Sequence, residues 1–389
     1  MSLLIKSFVF VSNFLNHHQL PFCLEMVKLF NGGFYFIATE PIHEERLVMG
    51  YVDMNNLYPF VLKSYESSCA YNEAKNLCYN SDVVMIGSAP DDFIKKRIKE
   101  DKLTFKYTER IFKKGRWRIL DPRVTLNLLL RHTQYFNKRV YLLSASAYAA
   151  GDFSMVGAYQ RKCYKWGYFP KVTYASHEEI MAKKNNSKLA ILWAGRFKKW
   201  KHPEKALIAA KYLFDNGINF RMTFIGGGEM EDYLKLLTTK YKLDTYVDFT
   251  GYQTPEVVRE SMKKSDIFLF TSDYQEGWGA VLNEAMNSGC AVVCSNAIGS
   301  VPYLIKDNVN GMVYKNNDIN DLKNKVLLLA RDSEIRKKIS INAYEAICDL
   351  WSPCVAAKRL LELSEALIYD DKVFRQYIDG PCAFIGKKM

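Results

Sequence analysis

Two glutamates flank a glycine-rich stretch in the second half of the chain. In "YQEGWGAVLNEAM", Glu276 precedes a Gly-Trp-Gly step, and Glu284 follows with seven residues between the two. Gly277 and Gly279 leave backbone N–H groups bare where a helix is expected to begin, and such an end attracts anions. Glu276 suits hydrogen-bond donors such as sugar hydroxyls, and Glu284, beside the expected buried stripe, can hold two vicinal hydroxyls such as those of a ribose. Alternatively, both are ordinary exposed residues, one of which stabilises the helix start.

Cations and further glycines follow two other predicted strands. Arg196 and Lys201 come after "LAILWAG", and a planar guanidinium beside a mobile ammonium makes a clamp for a diphosphate. The run Gly226–Gly228 ends "FRMTFI", but Glu231 stands where a dinucleotide fingerprint needs its third glycine. This pattern counts against an NAD enzyme.

No metal or other cofactor is expected. The chain has no Asp-x-Asp pair, which weighs against a dedicated divalent-metal site for a diphosphate. Its nine cysteines form no Cys-x-x-Cys pair, so a zinc site is not predicted, and scattered reduced thiols favour a cytosolic protein.

Short apolar runs that alternate with helical segments must position these residues. The first half contains "LLIKSFVFVSN", "FYFIATE", "SDVVMIGSAP" and "KRVYLLSASA"; the second contains "LAILWAGR", "FRMTFIGGG", "VDFTGY", "SDIFLFTS", "CAVVCSN" and "GMVY". Apolar strands separated by helices predict parallel sheets covered on both faces, and 389 residues favour two domains. We therefore expect an α/β protein with two Rossmann-like, doubly wound domains facing across a cleft.

The domain boundaries follow from changes in pattern. We expect one domain over 1–170, a polar linker over 171–187 and a second domain over 188–351. The last segment, 352–389, should begin with a helix, because Ser352 is a good N-cap and Pro353 suits the first helical position.

The first residues resemble a secretory signal but carry one lysine and no small-residue cleavage site, so we expect a buried strand instead. No run approaches the roughly 20 apolar residues of a membrane span, which predicts a soluble protein.

The net charge of +12 is concentrated in one segment. Residues 95–118 hold eleven basic and three acidic residues, with Phe105, Tyr107, Phe112 and Trp117 among them. Such a mixture fits a surface that contacts anionic lipid headgroups. A plain solvated face and a nucleic-acid patch are the alternatives.

The second half of the chain resembles a known enzyme family. The segments "AGRFKKWKHPEKAL", "FIGGGEMEDYL", "VDFTGY", "SDIFLFTSDYQEGWGAVLNEAMNSGCAVV" and "GSVPYLIKDNVNGMVY" follow one another over about 188–350. In order and spacing they are similar to the retaining glycosyltransferases of family 4 (glycosyl transferases group 1), which have the GT-B fold.

The resemblance implies roles for individual residues. Arg196 and Lys201 would bind the donor diphosphate, Glu276 the transferred sugar, and Glu284 the ribose. We count Arg196, Lys201 and Glu276 as catalytic. The other expected donor-binding residues are Gly195, Gly226, Gly227, Gly251 and Tyr252 (the last two near the base), Gly277, Trp278, Gly279, Ala280 and Val281.

The first half resembles the family less closely. Where the family often carries a histidine after the fourth strand, this chain has Gly87 and Ser88. His17 and His18 are substitutes, although a histidine pair in a loop is often simply exposed. The remaining candidates for the acceptor or cleft side come from "SASAYAAGDF": Ser146, Tyr148 and Asp152.

The implied activity is transfer of a hexose from a nucleoside-diphosphate-sugar, UDP-sugar favoured, to a glycan or lipid-linked glycan with retention. The resemblance places it in bacterial surface polysaccharide synthesis, without an essential metal, in the cytoplasm. If 95–118 contacts anionic lipid, the protein lies peripherally on the inner face of the plasma membrane. No nucleic-acid partner is expected. The alternatives are an epimerase or phosphorylase on the same fold, or a basic nucleic-acid-binding protein.

Overall fold

A computed structural model describes residues 4–44, 47, 52–184, 187–369 and 374–386. The chain divides into two compact units: the first combines Met1–Lys171 with Trp351–Met389, and the second is Val172–Leu350. The few other residues in the expected domain ranges (1–3, 45, 46, 48–51, 185, 186, 370–373 and 387–389) lie outside the described part of the chain.

A parallel sheet forms the centre of the first unit. In the described residues its seven strands have the order β3-β2-β1-β4-β5-β6-β7, and every neighbouring pair is parallel. The strands are β1 (Phe8–Ser12), β2 (Phe34–Ala38), β3 (Val61–Lys63), β4 (Val83–Ile86), β5 (Thr104–Thr108), β6 (Val140–Ser144) and β7 (Cys163–Lys165). The helices between them are α1 (Leu20–Phe30), α2 (Ser68–Asn80), α3 (Lys95–Lys99), α4 (Pro122–Arg131) and α5 (Ala149–Ser154).

The second unit has its own parallel sheet, and all six strands expected there are confirmed. Their order is β10-β9-β8-β11-β12-β13. They are β8 (Leu189–Ala194), β9 (Phe220–Ile225), β10 (Val247–Phe249), β11 (Ile267–Phe270), β12 (Ala291–Ser295) and β13 (Met312–Tyr314). The helices are α6 (His177–Ala182), α7 (Pro203–Asp215), α8 (Glu231–Lys240), α9 (Pro255–Lys264), α10 (Val281–Asn287), α11 (Val301–Leu304), α12 (Ile319–Arg331) and α13 (Ser333–Glu345). The predicted fold class, two doubly wound parallel-sheet units, is therefore confirmed.

The segment expected to be a linker, 171–187, contains a helix. Ser176 and Glu179 form a capping box at the start of α6. Ile180 packs with Tyr344 and Cys348 of the same unit. The polar sequence that suggested a linker is in part the capping chemistry of this helix.

The last described helix, α14 (Pro353–Tyr369), begins where Ser352 and Pro353 predicted it. The Ser352 side chain accepts a hydrogen bond from the backbone N–H of Val355. Leu360, Leu363 and Leu367 are buried, and the helix packs against α1 in the first unit.

The structure corrects one part of the expectation for 95–118, that its aromatic residues lie with the cations on a surface. Strand β5 lies inside this segment, and Phe105, Tyr107 and Phe112 are buried. Buried Lys106 pairs with Asp91 at 2.9 Å, while buried Arg97 donates to backbone carbonyl oxygens. Alternating cations and aromatics are also compatible with a strand covered on both faces, provided that each buried cation has an internal partner.

Two smaller expectations concern cysteines and membrane spans. The nine cysteines are free thiols, and seven of them are buried. Among the described residues, no helix combines the length and the apolar character that crossing a membrane requires.

Candidate active site

The loops after β8 and β9 approach each other more closely than side chains allow. The N–H of Gly195 donates to the carbonyl oxygen of Ile225 at 2.9 Å. Gly226 has φ +126°, and a Cβ added there would lie 2.0 Å from the carbonyl oxygen of Gly195. Glycine at position 226 is therefore required by the backbone geometry of this sheet edge.

Lys201 and Glu276, which were predicted to contact different parts of a donor, form one ion pair. The ammonium Nζ of Lys201 lies 2.6 Å from Oε2 of Glu276, and both side chains are largely buried. The hydroxyl of Ser272 donates to the same carboxylate oxygen at 3.1 Å. The indole ring centroid of Trp200 is 4.6 Å from Nζ. A carboxylate and an aromatic ring thus hold the ammonium at the ends of β8 and β11.

Arg196 lies on the same loop as Lys201, but its side chain is exposed. A guanidinium in solvent can turn toward an anion without breaking a buried contact. The two predicted clamp cations therefore differ in environment: the Arg196 side chain is exposed, whereas the ammonium of Lys201 is paired with Glu276.

His202 and Asp273 are functional candidates that the sequence did not single out. His202 adopts a left-handed backbone conformation, with φ +49°. Its Nδ1 lies 2.8 Å from Oε1 of Glu204, and its Nε2 lies 3.5 Å from Oδ2 of Asp273. Two hydrogen bonds, to Asp273 with the larger effect and to Glu204, raise the pKa of His202 to about 9.

The charged His202 joins the loop of Lys201 to the loop of Glu276. The N–H of Asp273 also donates to the carbonyl oxygen of Trp200 at 2.9 Å. These contacts connect the backbone segment that carries Lys201 with the segment that carries Glu276. The available signal was the position of a histidine directly after a predicted phosphate ligand.

The start of α10 differs from the expectation. The helix begins at Val281, so Gly277 and Gly279 lie in the preceding loop, and Glu284 is in the first helical turn. Val281 is half-buried, and the buried stripe consists of Leu282, Asn283, Ala285 and Met286. Gly279 adopts φ +81°, a left-handed conformation outside the helical range, so the helix begins only after it.

Trp278 is an anchor of this loop. Its side chain is fully buried, and its indole N–H donates to Oδ1 of Asn283 at 2.9 Å. Gly279 follows without a side chain because a Cβ there would lie 2.4 Å from the ring of Phe270. The backbone of Gly277, Trp278 and Gly279, followed by buried Ala280, is what this loop can offer a ligand.

Glu284 has an unusual protonation equilibrium. Burial raises its pKa to about 7, against the opposing effect of Arg259. Nη1 of Arg259, on α9, lies 3.5 Å from Oε1 of Glu284. A carboxyl group that is poorly solvated and distantly paired gains from hydroxyl donors supplied by a ligand. Arg259 is a partner that the sequence reasoning missed.

Gly251 and Tyr252 lie at the end of β10. The Tyr252 ring is exposed, and its hydroxyl donates to the carbonyl oxygen of Gly227 at 2.9 Å. Gly227 has no room for a side chain, because a Cβ would lie 2.9 Å from that ring. These contacts hold the tyrosine with an aromatic surface open to solvent, and a base can stack on such a ring.

In the first unit, His17 and His18 are half-buried. Their ring centroids are 3.7 Å apart, and the ring of His18 is parallel to that of Tyr168 at 6.2 Å. His18 lines a small pocket together with Tyr107, Tyr168 and Trp166. The histidine pair is thus part of an aromatic pocket.

The other first-unit candidates are placed differently. Ser88 is exposed, whereas Ser146 is fully buried and contacts its own loop. Tyr148 is half-buried, and the guanidinium of Arg110 lies 5.2 Å from its ring centroid. Asp152 is buried and serves as counter-ion to Arg110 at 3.4 Å. Among these residues, Ser88 and Tyr148 have surface that a ligand can reach.

Comparison with known proteins shows that the second unit is similar to one family. The family model for glycosyl transferases group 1 matches residues 176–346, which include Lys201, Glu276 and Glu284. The uncharacterized glycosyltransferase MJ1178 of Methanocaldococcus jannaschii is 29% identical over 151 residues, covering 38% of this chain and 42% of the relative. The amylovoran biosynthesis glycosyltransferase AmsK of Erwinia amylovora is 29% identical over 184 residues, covering 46% and 45%. The chain spans less than half the length of these relatives.

A solved structure extends the similarity to both units. The crystal structure of Anabaena Alr3699/HepE in complex with UDP and glucose is similar over 93% of this chain and 100% of that one. The TM-score is 0.63 at 15% identity, which establishes likeness of fold. Similarity to glycosyl transferases group 1 thus covers residues 176–346, and the likeness of fold to HepE extends over both units.

Proposed function

We propose that the protein transfers a hexose, with retention, from a nucleoside-diphosphate-sugar to a glycan or lipid-linked glycan in bacterial surface polysaccharide synthesis. The Lys201–Glu276 pair carries this proposal. It places a fixed cation beside a carboxylate that can accept hydrogen bonds from sugar hydroxyls, at the edge of the sheet that lies within the family match. A UDP-sugar is the favoured donor, because the neighbour HepE was crystallised with UDP and glucose. AmsK, a relative that is 29% identical over 184 residues, is an amylovoran biosynthesis glycosyltransferase.

In this proposal Arg196 and Lys201 bind the donor diphosphate. Negative charge accumulates on the diphosphate as the glycosidic bond breaks, and fixed cations stabilise that charge most when they are already in position. A phosphate oxygen accepts the proton of the acceptor hydroxyl, which attacks from the same face of the sugar. The protein then supplies positioning and electrostatic stabilisation, and neither a metal nor another cofactor takes part.

Glu276 has two successive partners in this scheme. Without donor it binds the ammonium of Lys201 and the hydroxyl of Ser272. An ammonium has three donor hydrogens and a carboxylate two acceptor oxygens, so Lys201 can bond a phosphate while Glu276 accepts sugar hydroxyls.

The Glu284 carboxylate accepts hydrogen bonds from the two ribose hydroxyls, and the exposed ring of Tyr252 stacks on the base. The raised pKa of Glu284 supports this role, because hydroxyl donors restore the hydrogen bonds that burial removes from the carboxylate. On the acceptor side we retain His17, His18, Ser88 and Tyr148 as contacts.

A thermal-shift series with UDP, GDP and NAD tests the donor class. A stabilisation of the full chain by UDP and not by NAD is expected, since binding to the folded state raises the midpoint. A screen of UDP-sugars for slow hydrolysis, repeated with EDTA, then identifies the sugar and tests metal independence. Stabilisation by NAD alone, or hydrolysis abolished by EDTA, contradicts the proposal.

A further inference from the structure

Helix α4 of the first unit has its leucines on the outer side. Leu126, Leu129 and Leu130 share one face at spacings of three and four residues, and all three are exposed. Leu128, which points the opposite way, is 7% exposed and is the buried residue of the helix. A surface helix normally turns its apolar stripe inward.

The apolar surface continues on both sides of α4. Trp117 and Leu120 lie on the 3-10 turn Arg116–Leu120 before the helix, and Phe136 follows the 3-10 turn Thr133–Tyr135 after it. We call these six side chains the leucine face; they are 39% to 80% exposed: Trp117, Leu120, Leu126, Leu129, Leu130 and Phe136. Grouped exposed apolar side chains of this kind mark interaction sites.

Positive charge accompanies the leucine face. Residues 113–131 contain six basic residues and one acidic residue. Lys114 and Arg123 are exposed. The single acid, Asp121, caps α4 by accepting a hydrogen bond from the backbone N–H of Arg123. Three of the six cations, Lys113, Arg116 and Arg131, are paired with acids outside the segment. The surface therefore combines apolar side chains with an excess of cations.

We propose that the leucine face docks the protein on an anionic phospholipid surface. The cations contact lipid headgroups while the leucines, with Trp117 at the headgroup level, enter the boundary of the acyl chains. The charge favours this occupant over a second copy of the chain, because two such surfaces would repel each other. The docking lies in residues 113–136 and does not depend on sugar transfer.

Vesicle co-sedimentation of the full-length protein tests the docking. One set of vesicles is pure phosphatidylcholine, and the other contains equal parts of phosphatidylcholine and phosphatidylglycerol. We expect binding to the anionic set to be stronger by about tenfold or more at moderate salt, and the preference to shrink as salt increases.

Two double variants separate the apolar and the charged contributions. L126Q/L130Q removes two leucines that are 57% and 56% exposed, and the control L236Q/L328Q removes leucines of α8 and α12 that are 70% and 42% exposed. We expect about a tenfold loss of anionic-vesicle binding in the first variant and no change in the control. K114Q/R123Q, against the charge-matched control K188Q/K240Q, should lose the preference for anionic vesicles.

Each variant is also tested for stabilisation by UDP. Retained stabilisation shows that the protein is folded and keeps failure of docking distinct from failure of the proposed function. Equal binding to both vesicle types, or unchanged binding by L126Q/L130Q, overturns the proposal. Two further outcomes also overturn it. One is a dimer in solution that L126Q/L130Q dissociates, with no binding of the protein to vesicles. The other is generic duplex DNA that binds the protein as tightly as anionic vesicles do and releases it from them.

Discussion

Side chains that were predicted to act separately are coupled in the second unit. Lys201 is bonded to Glu276, 75 residues away in the chain, and Glu276 is bonded to Ser272. Buried ion pairs are costly to break from one side, because the remaining charge loses its partner. Substitutions at either position should therefore affect stability as well as donor turnover, and the two effects must be measured separately.

The variant K201A should reduce kcat for sugar transfer by about a hundredfold, and R196A should do the same, because in the proposed mechanism each removes a group that stabilises charge on the departing diphosphate. The neighbouring exposed Lys199 supplies the control variant K199A. Steady-state kinetics with a UDP-sugar provide the measurement. If K199A lost as much activity as K201A, net charge rather than the clamp would be responsible.

The variant E284Q should stabilise the free protein at pH 8. The pKa of Glu284 is raised to about 7, so folding favours its neutral form. That contribution is complete below about pH 4.5 and is lost as the pH rises through 7, a change of up to about 3 kcal/mol. Urea denaturation at pH 4.5 and pH 8 measures this change in the free energy of unfolding.

At pH 8 the midpoint of E284Q should exceed that of the wild type, and at pH 4.5 the two should coincide. E284Q should also bind UDP more weakly, because an amide accepts fewer hydrogen bonds. Exposed Glu73 gives the control E73Q, for which neither change is expected. A wild-type pH dependence in E284Q would assign the effect to another group.

At the scale of elements, the loops that follow β8 and β11 are bonded to each other. Strand β8 pairs with β11 in the sheet, so their loops emerge side by side. His202 ties them together by contacts to Glu204 and Asp273. The left-handed backbone at His202 is a conformation that most residues avoid, and the surrounding ion pairs hold it.

The variant H202N should remove most of the pH dependence that this loop gives to stability. The pKa of His202 is raised to about 9, so its contribution is complete below about pH 6.5 and is lost as the pH rises through 9. Asparagine tolerates the left-handed conformation without carrying the charge. The wild type should lose up to about 3 kcal/mol over this interval.

Thermal or urea midpoints at pH 6.5 and pH 9 measure this prediction. The control is H177N, at a histidine of α6 outside the two loops. Identical pH slopes for wild type and H202N would mean that the imidazole does not hold the loops in its charged form.

Elements with regular apolar periodicity were predictable, and elements with internal charge partners were not. The strands β8 to β13 are short apolar runs bounded by glycine or polar residues, so their positions follow from local sequence. Strand β5 contains buried Lys106, whose partner Asp91 lies on the 3-10 turn Asp91–Phe93. Its identity as a strand depends on a contact that the local pattern does not show.

At the scale of the whole molecule, each unit has its own sheet and its own covering helices. The core of the second unit contains Trp193, Phe224 and Leu269. A unit with an independent core can fold alone when its boundaries fall outside that core.

The fragment 172–350 should fold cooperatively and bind UDP without transferring sugar. The residues proposed for the diphosphate, the base and the ribose all lie within it. Circular dichroism melting and a UDP titration of the fragment supply the measurement. A fragment that melts without cooperativity, or one that ignores UDP while the full chain binds it, would show that the first unit completes the nucleotide site.

The local sequence was enough for the number of α/β units, the strands of the second unit and the candidates Arg196, Lys201, Glu276 and Glu284. These are properties of short segments: hydrophobic periodicity, strand ends and residue type. Chain folding decided the rest, because pairing and burial depend on which strands are neighbours. It brought Lys201 to Glu276 and His202 to Asp273 by placing β8 beside β11, and it buried Phe105 and Tyr107 while leaving the leucine face exposed.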